Sequence, residues 1–231
     1  MKIMENAKDV ALATVKGTVS LIPLAGGFLS EYIGLANEKI MAKRLEDWMN
    51  LVDERLSKLE SDLSEIATDE FFFTCVQTTT VGALRAYQSE KRRIFADALF
   101  NAFTLMDISE EKKSIFISLI DRYTLISIIL LNYYSRNNFS LVRAKTTEGS
   151  RSLYAVFTSP EAESPFNGIM EFIPELAKEK ELAQAITSQL AADGLIVPVK
   201  WDFLEFPEQA RRKRTTVLGD EFVRFIATKP D

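Results

Sequence analysis

The chain has 231 residues, 47% of them apolar and 26% charged, with a formal charge of −5. That length holds one large domain or two modest ones, and the apolar share excludes extensive disorder. Histidine is absent and Cys75 is the single cysteine, which removes the commonest general base, the commonest metal ligand, any internal disulfide and any thiolate zinc cluster.

Met1 to Gly17 carries Glu5, Asp9 and three lysines, without the apolar run of a secretory signal. Asn6 to Lys16 offers a short helix with a weak stripe at Val10, Ala11, Ala13 and Val15. Residues 19–36 are dense in apolar side chains, with Glu31 the one charge. Pro23 and Gly26-Gly27 interrupt any continuous helix there. A buried helical corner fits this stretch; a hairpin that meets a membrane is the alternative, against which stand the backbone groups left unpaired in lipid.

A long amphipathic helix is predicted over about 30–64, its seam formed by Met41, Leu45, Trp48, Val52, Leu56, Leu59 and Leu63. At 1.5 Å per residue it would be about 50 Å long, which calls for an antiparallel helical neighbour or a coiled-coil partner. Thr68 is its successor's N-cap, opening a helix over about 69–103 with Phe72, Val76, Leu84, Tyr87, Phe95, Leu99 and Ala102 on the buried side. Cys75 lies among these apolar residues and reads as a small buried hydrophobe. Ser109, followed by Glu110 and Glu111, caps a further helix through Ile115, Phe116, Leu119 and Ile120.

Leu125 to Tyr134 is about ten residues of apolar helix, half of the roughly twenty that cross a bilayer. Residues 136–165 turn polar and form a long insertion, a candidate functional loop. Short helices are predicted over 165–173 and 175–192, the latter with Leu182, Ala185, Ile186, Gln189 and Leu190 as its face. Asp193-Gly194 stops it; Leu195–Pro198 and Arg214–Val217 read as paired strands before a last helix over 218–226. The fold class expected is mainly α, as two domains: 1–121 helical, and 122–231 a helical module with a small hairpin.

The order helix, helix, Asp193-Gly-Leu-Ile196, hairpin, then Thr216-Val-Leu-Gly-Asp-Glu-Phe222-Val-Arg-Phe-Ile226 resembles the winged-helix family. The resemblance implies that 125–134, 166–173 and 179–193 are its three helices and 195–217 its wing. It says almost nothing of activity. Separately, Ile22-Pro-Leu-Ala-Gly-Gly-Phe-Leu-Ser-Glu31 resembles segments of uncharacterised bacterial proteins, some linked to phage or stress defence.

If the third helix of that module enters a major groove, it must present basic and amide groups. Here Lys178 and Lys180 face Glu179, Glu181 and Asp193, so a structural helix is the better reading. The wing holds the one four-residue basic run, Arg211-Arg212-Lys213-Arg214, a candidate contact for phosphate or another anion, or else a solvated face. Trp201, Phe203 and Phe206 either cover the wing's edge or form a subunit interface. No nucleophile with a base, no phosphate-binding glycine loop and no metal cluster is visible, so no catalytic residue, cofactor or metal is assigned. The expectation is a non-enzymatic, cytoplasmic interaction or scaffold protein, partnered by protein or by itself through the Met41–Leu59 seam. A DNA- or RNA-binding regulator using the wing, and a membrane-associated effector using 19–36, are the alternatives.

Overall fold

The computed structural model describes residues 38–58, 69–136, 165–201 and 212–228. The predictions for 6–16, 19–36, Leu59, Leu63, Thr68, the 136–165 insertion beyond Arg136, Phe203, Phe206 and Arg211 lie outside them. Among the described residues the protein is mainly α, with eight helices and no strand. They fall into two units, the first containing residues up to Arg122 together with Phe225 onward, the second Tyr123–Arg224.

In the first unit, α1 (Glu38–Leu56), α2 (Glu70–Arg85), α3 (Ser89–Thr104) and α4 (Glu110–Arg122) alternate in direction. Pairings set those directions. Arg44 and Trp48 of α1 bond Leu84 and Thr80 of α2, so those helices are antiparallel. Asp47 and Arg55 of α1 pair with Arg92 and Asp97 of α3, which therefore runs parallel to α1. Lys91 of α3 reaches the Asp121 carbonyl of α4, near the far end of the bundle from the short α3–α4 connection.

Periodicity predicts one helix over 69–103, but the chain turns back at Ala86–Gln88. No glycine or proline marks that corner. Two arginines make it. The Arg44 guanidinium donates to Leu84 O at 3.0 Å, and Arg92 donates to Ala86 O at 3.0 Å and Tyr87 O at 3.3 Å. These carbonyls lie at or just beyond the α2 carboxyl end, where a helix leaves acceptors unpaired and its dipole favours cations. Arg92 also meets Asp47 at 3.2 Å, while its buried Nε has no acceptor. The turned-back α3 brings the Phe95 ring against Gly82, where any Cβ would overlap it. Tyr87, expected on the buried side, is instead 76% exposed at the corner.

The α2 amino end is capped by Asp69, not by the predicted Thr68: its carboxylate accepts from Phe71 N at 2.7 Å and Phe72 N at 3.1 Å. The predicted 30–64 helix stops at Leu56, with a turn at Ser57–Lys58. Its seam is spent inside the chain. Trp48, Val52 and Leu56 are buried under α2 and α3, and the Trp48 indole donates to Thr80 Oγ1 at 3.1 Å. Residues 225–228 close on α3: Asn101 Nδ2 donates to Phe225 O and Ala227 O, and Thr228 donates to Asp97. Phe225 lies 5.4 Å from the Phe116 ring of α4.

The second unit holds α5 (Leu125–Tyr134), α6 (Pro165–Phe172), a 3-10 turn (Pro174–Leu176), α7 (Lys180–Ala192) and the start of α8 (Val217–Ile226). The helix predicted from Glu175 begins five residues later, because Pro174–Leu176 winds as the 3-10 turn and sinks Leu176 into the core. At Asp193-Gly194 the predicted stop is a Schellman turn: Leu195 N donates to Leu190 O, Gly194 N to Ala191 O, and Gly194 adopts φ +75°. The two predicted strands shrink to one antiparallel bridge, Ile196 with Thr215. Pro198 has no N–H to extend the ladder, and Thr216 is taken as the cap of α8, its hydroxyl accepting from Gly219 N and donating to Gly194 O.

Replacing Arg92 by Met should leave two corner carbonyls without their donor and lower unfolding free energy by about 2–4 kcal/mol. Denaturant titration measures the loss, and limited proteolysis should then cut at 85–89. Leu56→Glu should lower the melting temperature by burying a charge; a stable variant with a smaller mass in light scattering would instead place Leu56 between subunits.

Candidate interaction surface

Where α2 and α4 run side by side, Thr74, Cys75, Thr78, Ser114 and Ile117 line a cavity of about 60 Å³, open to solvent. The two helices are parallel, since Arg85 at the end of α2 pairs with Asp121 near the end of α4 at 3.4 Å. That volume is several times the roughly 15 Å³ that admits a water molecule, and far below the ~300 Å³ of a small-molecule site. It suits a single small side chain.

The chemistry of the lining follows from the helix backbone. Thr74 Oγ1 donates to Glu70 O at 2.9 Å and Thr78 Oγ1 to Thr74 O at 2.8 Å. Both hydroxyl protons are thus used inside α2, which leaves the groove poor in donors. Phe73, next to Thr74, is 42% exposed, and Ile115, next to Ser114, is 54% exposed. Ile115 was expected to pack inward with Phe116, Leu119 and Ile120; only those three do.

Cys75 forms the buried floor, as its apolar sequence context predicts. Burial pushes its thiol up to about 12, with Lys113 pulling the other way. A thiol so protonated is a poor nucleophile near neutral pH. Among the described residues no group of three or more Cys, Asp or Glu is placed to hold a metal ion.

The basic run of the second unit is dispersed. Arg214 is only 3% exposed, and its backbone ties α5 to the bridge: its N donates to Tyr134 O and its carbonyl accepts from Val197 N. Lys213 pairs with Asp220 at 2.6 Å; Asp220 also accepts from Thr215 at 2.6 Å. Burial alone would raise the Asp220 pKa, but these bonds and the Lys213 charge lower it. Arg212 is exposed. Trp201 stacks edge-on against Phe166 of α6 at 6.5 Å.

The face of α7 is rotated from the one predicted. Ala183, Ile186, Thr187 and Leu190 are buried, while Leu182, Ala185 and Gln189 are exposed with Glu181 and Ser188. Of the oligomer seam, Met41 and Leu45 are half-buried and Trp48, Val52 and Leu56 fully so. The groove itself was not foreseen; the one signal for it was the i, i+4 pairing of small side chains, Thr74 with Thr78 and Ser114 with Ser118.

No helix among the described residues is long and apolar enough to cross a membrane. Comparison with protein-family models, curated proteins and solved structures finds no match to this chain.

With the thiol held near 12, iodoacetamide at pH 7.5 should leave Cys75 unmodified in the native protein and alkylate it fully in denaturant. Mass spectrometry reads the difference; rapid native modification would show an accessible thiolate.

Proposed function

We propose that the chain is a non-enzymatic intracellular interaction protein whose binding surface is the α2–α4 groove. The observation that carries this is the pairing of a donor-poor cavity, too small for a metabolite, with apolar lips at Phe73 and Ile115. Such a surface loses little by desolvation and gains by burying apolar area, as protein contacts do. The seam of α1 is a weaker place for self-association, since α2 and α3 already cover most of it.

We read the second unit as a winged-helix-like scaffold rather than a nucleic-acid reader. The order α5, α6, α7, Schellman turn, bridge and α8 supports the likeness. The exposed side of α7 carries Glu181, Leu182, Ala185, Ser188 and Gln189, without a cation to meet phosphate. Of the basic run, Arg214 is inside and Lys213 is neutralised by Asp220.

A benzophenone amino acid installed at exposed Ser118, one turn beyond Ser114, tests this in irradiated host cells. A protease-sensitive, nuclease-resistant adduct is expected, absent when the probe sits at exposed Lys43 on α1. No adduct, a nuclease-sensitive one, or equal yields at both positions would refute the reading.

A further inference from the structure

We propose that the groove receives an α-helix of a partner protein, running antiparallel to α2 and α4. Its amino end carries carboxylates, its carboxyl end lysine or arginine, and one small aliphatic side chain enters the cavity over Cys75. This rests on the interaction reading above and names the partner's chemistry.

Size comes first. A hole of about 60 Å³ between two helices, with walls of Thr74, Thr78 and Ser114, matches a knob from a third helix and not a strand or a metabolite. The spent threonine donors make an aliphatic knob better suited than a carbonyl or a phosphate. Phe73 and Ile115 then flank the incoming helix and supply the apolar contact area.

Charge sets direction. At the amino ends of the two walls stand Asp69, Glu70, Glu110 and Glu111; at the carboxyl ends stand Arg85 and Arg122. A helix whose basic carboxyl end lies over the four carboxylates, and whose acidic amino end lies over the arginines, meets opposite charge at both ends. Its dipole is then antiparallel to those of α2 and α4, the favourable sense. The same chain provides the precedent, because α3 contacts both α2 and α4 and runs antiparallel to them.

A display library of randomised helices of about four turns, panned against the full chain, tests the proposal. Enriched peptides should carry Asp or Glu in the first turn, Lys or Arg in the last, and Ala, Ser or Val at the central contact. Reversing the charge order of a selected peptide should weaken binding about tenfold. Thr78→Trp, which fills the cavity, should abolish it. Glu110→Lys with Glu111→Lys, both exposed positions that leave the core untouched, should invert the preferred charge order. Circular dichroism checks that each variant is folded. Enrichment of nothing, of peptides without this polarity, or of peptides indifferent to Glu110→Lys/Glu111→Lys would overturn the helix. A Ser118 adduct obtained alongside such a result would leave the groove as the interaction surface, so the two failures are separable.

Discussion

The first unit depends on how the carboxyl end of α2 is satisfied. A helix ending inside a bundle exposes acceptors that cost about 1–3 kcal/mol each when buried without donors. Arg44 and Arg92 come to that end from α1 and α3, donating to Leu84, Ala86 and Tyr87. Because both donors are charged, each bond is stronger than a neutral one. The three-residue corner that results decides everything nearby. It folds α3 back along α2, seats Phe95 on Gly82, and leaves one flank of the pair for α1 and the other for α4. The α2–α4 groove exists because that second flank is walled by small side chains.

The second unit meets a similar demand by local means. The end of α7 is closed by Gly194 at positive φ, and the carbonyls just beyond it are taken by Thr216. Gly219 is required where α8 starts, since a Cβ there would overlap the Leu195 carbonyl. The stretch Thr216-Val-Leu-Gly219 is therefore a cap and a close approach, with Phe222 beyond it packing edge-on against Tyr123 at 6.2 Å. Its regularity in sequence has a packing cause and carries no message about ligands.

What was legible follows from the same distinction between local and distant causes. Capping by Ser109, the stop at Asp193-Gly194 and the short apolar α5 are written in neighbouring residues, and all are found. The corner at Ala86–Gln88 is not, because its cause is guanidinium groups on other helices, 40 residues away in one case. Arg214 looks like its three basic neighbours, yet the backbone bonds that draw it inward involve Tyr134, 80 positions earlier. The face of α7 was misplaced through Leu182, whose hydrophobicity outweighed the smaller Ala183 and Thr187 that the core accepts. The groove was hardest to see, since threonine and serine on a helix read as neutral filler until a parallel helix is laid beside them.

Charge, too, changes meaning once the chain is folded. Four consecutive cations suggest an anion-binding tip, but a phosphate contact needs a cation that is exposed and not already paired. Lys213 gives its charge to Asp220, and Arg214 is enclosed. On α2 and α4 the reverse holds. Carboxylates that serve as first-turn residues are spread over two helices, and only the parallel pairing of those helices gathers them at one end, opposite the arginines at the other. The polarity of the groove is thus a product of ordinary helix-end preferences added in register. A third helix obeying the same preferences, and running the opposite way, would find its own ends complemented without any further specialisation of either surface.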